Sequence, residues 1–149
     1  MSKNIIVVDI DGTIAQVGDR LKYLQQEKKD WDAFYEHCDE DKPIRDVIEM
    51  VEMFSMQQYE IVFCTGRRES VRQKTVKWLE RNLWLNVNYS LLMRKDNDWR
   101  HDTEVKPELL SKAGISPDIV LFIFEDRASM CKRWRELGFR CFQVADGDF

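Results

Sequence analysis

Two aspartates one residue apart, Asp9 and Asp11, run into Gly12 and Thr13 at the end of the apolar stretch Ile5 to Val8. A continuous apolar run of that length suits a strand covered on both faces of a parallel sheet. The carboxylates then fall where such a strand ends, the edge at which open α/β sheets hold their ligands. Gly12 allows a sharp turn and a close approach of backbone to ligand. Chance yields D-x-D-G-T in about one chain of this length in a thousand, so an acidic surface turn is the weaker reading.

Further chemistry falls at later strand ends. Phe63-Cys-Thr-Gly-Arg-Arg68 reads as a strand, a hydroxyl, a glycine turn and two arginines entering a helix, so Thr65 and the backbone N–H groups there would form an anion site. Phe124-Glu-Asp-Arg127 brings Glu125 and Asp126 to the same edge. Lys106 opens the helix before that strand; alone it reads as a surface lysine, yet it could point inward. Asp9, Asp11 and Asp126 together would repel one another without a cation, and hard oxygen ligands imply Mg2+, which binds carboxylates together with a phosphate. Thr65, Lys106 and the Gly12 turn then supply donors to phosphate oxygens. Phosphomonoester hydrolysis can need acceleration approaching ~10²¹. Acid catalysis gives only ~10²–10⁴, so metal, lysine and converging donors must carry the rest.

The elements that would position these groups are five strands, at residues 5–9, 60–64, 88–92, 119–124 and 140–144. Between them run helical patterns. Pro43 begins one, with Ile44, Val47, Ile48, Val51 and Phe54 on one face. Another spans 69–83 with Val71, Thr75, Trp78 and Leu79 inward. A third spans 128–137, buries Met130, Cys131, Trp134 and Leu137, and stops at Gly138. Strands alternating with helices predict a doubly wound, Rossmann-like α/β domain over residues 1–149 around a central five-stranded parallel sheet. Residues 14–42 break the alternation and read as a small, partly helical insert, a possible cap, with Trp31, Phe34 and Tyr35 read as core or cap packing ahead of a substrate platform. Residues 93–105 read as a loop; Trp99 there is either loop packing or a surface on which a base stacks.

The 149 residues carry 34% charged side chains and a net charge of −4, which argues against a large nucleic-acid footprint. Charge is uneven: residues 1–60 hold 7 basic and 14 acidic side chains, residues 61–149 hold 16 and 13, leaving room for a basic rim in the second part. No apolar run reaches the ~18 residues of a membrane span and no signal-peptide layout opens the chain, so the cytoplasm is expected. Cys38, Cys64, Cys131 and Cys141 form no C-x-x-C pair, and His37 and His101 lack partners at zinc-ligand spacing, so reduced thiols are expected and zinc is not.

Asp9-Ile-Asp-Gly-Thr13, Thr65-Gly-Arg67, Lys106 and Glu125-Asp126 resemble the four ordered motifs of the haloacid dehalogenase (HAD) superfamily. More narrowly, Cys64-Thr-Gly-Arg67, Leu92-Met-Arg94, Val105-Lys106, Phe124-Glu-Asp-Arg127, Trp134-Arg-Glu-Leu-Gly138 and the tail from Gln143 to Phe149 resemble the 3′-phosphatase domain of bacteriophage-type polynucleotide kinase/phosphatases. The similarity spans nearly the whole chain and is weak over 14–42.

That resemblance implies that Asp9 is a nucleophile forming an aspartyl-phosphate, and that Asp11 protonates the leaving oxygen and then activates water. It implies Mg2+ held by the Asp9 side chain, the Asp11 carbonyl and Asp126. Thr65 and Lys106 would hold the phosphate with the Gly12 and Gly66 backbone, and Arg67, Arg94 and Arg127 would be further site arginines. Glu125 stands where the family usually has Asp and would act behind the metal ligands. No glycine precedes a lysine, so no phosphate-binding G-x-x-x-x-G-K-[ST] loop and no kinase module is expected here. The expected substrate is a 3′-phosphorylated nucleotide or nucleic-acid end, in a bacterial or phage-infected cell, with short single-stranded ends preferred. A 5′-nucleotidase or small-metabolite phosphatase is the alternative. A phospho-acceptor signalling domain is a third reading, disfavoured because Asp11 would speed loss of the phosphoryl group. The oligomeric state is not legible in the sequence.

Overall fold

Apolar runs and periodic faces resolve into twelve regular elements in a computed structural model that describes residues 2–148. In chain order these are β1 (Ile5–Val8), β2 (Ala15–Gln16), α1 (Trp31–Glu36), β3 (Lys42–Pro43), α2 (Arg45–Met56), β4 (Glu60–Arg68), α3 (Arg72–Asn82), β5 (Tyr89–Arg94), α4 (Asp102–Lys112), β6 (Val120–Glu125), α5 (Ala128–Glu136) and β7 (Cys141–Gln143). Tight 3-10 turns lie at Gly18–Tyr23, Cys38–Glu40 and Glu69–Val71. The five longer-range strands form one parallel sheet in the order β5-β4-β1-β6-β7, as the α/β reading requires.

β1 is innermost, and its alternate residues feed two cores. Ile6 and Val8 pack with Ile48, Val51 and Trp78 of α2 and α3, while Ile5 and Val7 pack with Leu110, Met130 and Trp134 of α4 and α5. That two-sided burial is why β1 reads as an unbroken apolar run. Gly138 (φ +95°) ends the chain's last helix in the left-handed region, as expected of a residue without Cβ. All four cysteines are free and buried. Among the described residues no helix is long and apolar enough to cross a membrane.

Four expectations need correction. Pro43 does not start α2; it sits in β3 beside Ala15, and the helix begins two residues later. The second strand does not stop at Cys64 but continues through Gly66 to Arg68, because β5 offers a pairing edge as far as Arg94. Thr65-Gly66-Arg67 is therefore extended chain rather than a helix start, so no helix N-terminus contributes N–H groups at these residues. Residues 93–105 are a loop only at their centre: Met93 and Arg94 close β5, and α4 has begun by Asp102, so Lys106 lies within the helix. Residues 14–42 form the β2–β3 ribbon, α1 and the first two 3-10 turns. Phe149 of the tail motif lies outside the described residues.

Candidate active site

Register in the sheet sets the site. Val8 pairs with Phe63 on one side and Phe124 on the other, and Asp9 N donates to Phe124 O at 3.0 Å, so the chain beyond each strand emerges at one edge. Asp9, Thr65, Glu125 and Asp126 thereby line one cavity of about 640 Å3. Gly12 (φ +85°) turns the chain over this floor, closed by its N–H to Ala15 O at 2.8 Å. A Cβ at Gly12 would collide with the Asp126 carboxylate, so only glycine fits.

Lys106 reaches the floor from α4 and is 2% exposed, pointing inward as the motif reading expects. Its Nζ donates to Asp9 Oδ1 at 2.7 Å and Glu125 Oε2 at 2.9 Å. Thr13 Oγ1 donates to Asp9 Oδ2 at 2.9 Å and lies 3.3 Å from Asp126 Oδ1. Burial pushes the Lys106 ammonium down, but Asp9 and Glu125 outweigh it and hold it well above its usual range. Burial, and then the charge of Asp9, push the Asp126 carboxyl up to about 7, and Glu125 rises for the same two reasons.

Oxygens of Asp9, Glu125 and Asp126 lie within 4.8 Å of one another. Such hard, buried donors suit a small divalent cation, and Glu125 and Asp126, raised by burial and by Asp9, would gain from its charge. Both Glu125 oxygens accept hydrogen bonds, Oε2 from Lys106 Nζ and Oε1 from Asp126 N at 3.3 Å.

Asp11 has a different environment. Its Oδ1 accepts from Arg67 Nη2 at 2.7 Å, Arg67 Nε at 3.0 Å and Arg20 Nη2 at 2.9 Å. Burial would raise this carboxyl; the Arg67 and then the Arg20 guanidinium outweigh it and hold it down at about 2. Arg20 grips Asp41 with two bonds, 2.8 and 2.6 Å, and Arg67 Nη2 reaches Asp41 Oδ2 at 3.2 Å. Trp78 Nε1 donates to Asp41 O at 2.8 Å, tying the 14–42 segment to α3.

Of the residues singled out from sequence, Asp9, Asp11, Gly12, Thr65, Gly66, Arg94, Lys106, Glu125, Asp126 and Arg127 all line the cavity. Arg67 does not; it lies fully buried behind Asp11. Arg94 is a strut, donating to Gly66 O (2.9 Å), Asp98 O (2.9 Å), Arg100 O (2.6 Å) and Asp102 Oδ1 (2.5 Å). Asp102 also lies 3.4 Å from Arg127 and would meet a Cβ at Gly66 at 2.5 Å, which fixes residue 66 as glycine. Sequence reasoning missed Arg20, Asp41, Arg68 and Asp102. Trp31, Phe34 and Tyr35 pack on one another, as expected, but also form a wall of the cavity.

A family model described as the polynucleotide kinase PNKP phosphatase domain, of HAD type, matches residues 3–149. A candidate bifunctional polynucleotide kinase/RNA ligase of Autographa californica nuclear polyhedrosis virus is 28% identical over 133 residues, 89% of this chain and 18% of that protein. A chain of the solved Pnkp1/Rnl/Hen1 RNA repair complex is 30% identical with a TM-score of 0.80, covering 97% of this chain and 43% of that one. A HAD-like hydrolase from Streptococcus pneumoniae, 15% identical with a TM-score of 0.63, covers 94% of this chain and 83% of its own, and shows the shared fold. The chain thus spans less than half the length of the viral and RNA-repair proteins it matches.

Proposed function

The chain belongs to the polynucleotide kinase PNKP phosphatase domains of the HAD superfamily, and from that premise we propose that it removes 3′-phosphate from nucleic-acid ends or nucleotides, with Mg2+ and an aspartyl-phosphate on Asp9. The observation that carries this reading is the convergence of Asp9, Lys106, Thr65 and Asp126 on the floor of a cavity whose rim holds Arg68, Arg100 and Arg127. Relatives named for polynucleotide kinase and for RNA repair support a nucleic-acid end as substrate.

Asp9 attacks phosphorus and forms the covalent intermediate, which splits one difficult displacement into two easier ones. Lys106 holds Asp9 in place through its 2.7 Å hydrogen bond and, with Thr65 and backbone N–H groups, neutralises charge on the phosphoryl oxygens. Asp9, Asp126 and the Asp11 carbonyl would hold Mg2+, which when bound supplies further positive charge at the phosphate.

Asp11 transfers the protons. Both guanidiniums engage Oδ1, so Oδ2 is the oxygen left to face the leaving group. The carboxylate form is the one that activates water in the second half-reaction. In the first, the negative charge of the bound phosphomonoester opposes Arg20 and Arg67 and raises Asp11 towards the range in which it carries a proton. The 14–42 segment therefore contributes to the chemistry through Arg20.

The test is Mg2+-dependent phosphate release from matched 3′- and 5′-phosphorylated oligonucleotides and mononucleotides. A 3′-preference is expected. Preference for 5′-phosphates, or for a non-nucleotide ester over both, would assign the same chemistry to another substrate.

A further inference from the structure

The most exposed of the large apolar side chains lining the cleft is one that the phosphoryl chemistry does not use. Trp99 is 69% exposed, yet it lines the cavity that has Asp9 on its floor. Its loop is tied from both sides: Arg94 holds the Asp98 and Arg100 carbonyls, and Asp98 Oδ1 accepts from Arg100 N and Nε at 3.1 and 3.0 Å. A ring held this way is in place before a ligand arrives, which lowers the ordering cost of binding.

Arg68 backs the ring. Its guanidinium carbon lies 4.4 Å from the Trp99 centroid and 4.8 Å from that of Tyr35, across the cleft on α1. The side chain is 10% exposed and Nη1 donates to Asp32 at 2.8 Å. Nη2 is buried and has no hydrogen-bond partner among the described residues. Such a donor is costly to leave unmet inside the protein. The Arg68 guanidinium thus covers one side of the Trp99 ring, and the 69% exposure of the residue leaves ring surface open to a ligand.

Resting on the 3′-phosphatase reading, we propose that Trp99, backed by Arg68, stacks the base of the terminal nucleotide and so selects unpaired ends. Every base has a π-face, so stacking supplies affinity without reading sequence. A base held in a duplex must first leave its own stack. The cavity, about 640 Å3, is of the size that takes a small molecule, which suits one nucleotide better than a base pair. The few phosphate contacts available to a chain of net charge −4 make such a base contact more valuable.

The experiment measures kcat and KM for the unaltered chain, Trp99→Ala and Trp99→Phe. Three 3′-phosphorylated substrates are compared: a single-stranded oligonucleotide, the same strand with an abasic terminal sugar, and a blunt duplex. Trp99→Ala should raise KM about tenfold on the base-bearing single strand, with kcat and the abasic end unaffected. Trp99→Phe should restore most of the loss, and the duplex should be the poorest substrate of the unaltered chain. Equal loss on abasic and base-bearing ends, no loss on either, or preference for the duplex would overturn the stacking proposal alone. Failure of the unaltered chain to release any 3′-phosphate would instead overturn the reading on which it rests.

Discussion

The floor of the cleft and its wall are held in place by different forces. On the floor, Asp9, Thr65, Glu125 and Asp126 follow adjacent strands whose register is set by main-chain hydrogen bonds, and α4 adds Lys106. On the wall, residues 14–42 have only two 2-residue strands, a 6-residue helix and 3-10 turns. What fixes that wall is side-chain contact: Ile14, Ala15 and Cys38 enter the core beside Trp78, whose Nε1 holds Asp41 O, and Arg20 joins Asp41 to Asp11 with Arg67 bonded to both carboxylates. The floor can therefore lose a functional group and keep its shape. The wall loses its position along with the group.

The sharpest break in that comparison is at Asp9. Asp9→Asn removes the attacking anion while Lys106 keeps Glu125 as a partner, so turnover should fall to background with an unchanged unfolding midpoint. Beryllium fluoride should label Asp9 in the unaltered chain; labelling at Asp126 would reverse the assignment.

Next come Asp11 and Asp126, which should fail differently. Asp11→Asn should cost ~10²–10⁴ in kcat with little change in the Mg2+ concentration needed. Asp126→Ala should raise that requirement. An identical response of both variants to added metal would show that the two carboxylates do not divide the work.

Arg20→Met tests the wall. It leaves Asp41 and Asp11 with Arg67 as their remaining buried cation, and breaking such a pair typically costs ~3–5 kcal/mol. Denaturant titration should show that loss, together with a fall in kcat. Full stability and full activity would mean that Arg20 does not position the wall.

The smallest effect is a pH signature. Asp11 has a folded pKa of about 2 against an ordinary 3.8, so the unfolded chain binds more protons between those values. Its contribution to stability is complete above about pH 4 and lost as pH falls through 2. Asp11→Asn should flatten the dependence of the unfolding midpoint on pH in that window; parallel curves would exclude the depressed carboxyl.

The same contrast explains what could be read from sequence. The five-stranded parallel sheet, three of its helices and the strand-end residues on the cavity floor are legible, because period-2 and period-3.6 patterns report burial directly and D-x-D-G-T marks a strand end. The Thr65-Gly66-Arg67 reading failed because a glycine among polar residues looks like a turn; here Gly66 stays in the strand to make room for Asp102. Lys106 is placed in the site by its motif and not by its own residue type, because its carboxylate partners lie 97 and 19 residues away. Arg20 and Asp41, 21 residues apart in an aperiodic polar stretch, gave no signal, since a buried ion pair has the composition of a solvated surface.

The sheet order has a consequence for how the protein is made. Of the five strands of the sheet β1 is translated first but sits at the centre, with Ile5 to Val8 beside Glu60 to Phe63 on one flank and β6 on the other. Both pairings close long loops, which slows folding. Until β6 leaves the ribosome, the most apolar strand of the chain has a bare edge, the kind of surface that aggregates or needs a chaperone. Lys106 and Asp126 also lie after β1 in the chain, so the strand that carries Asp9 is made before the groups that complete the floor of the cleft. The cleft should therefore form only once β6 has paired with β1.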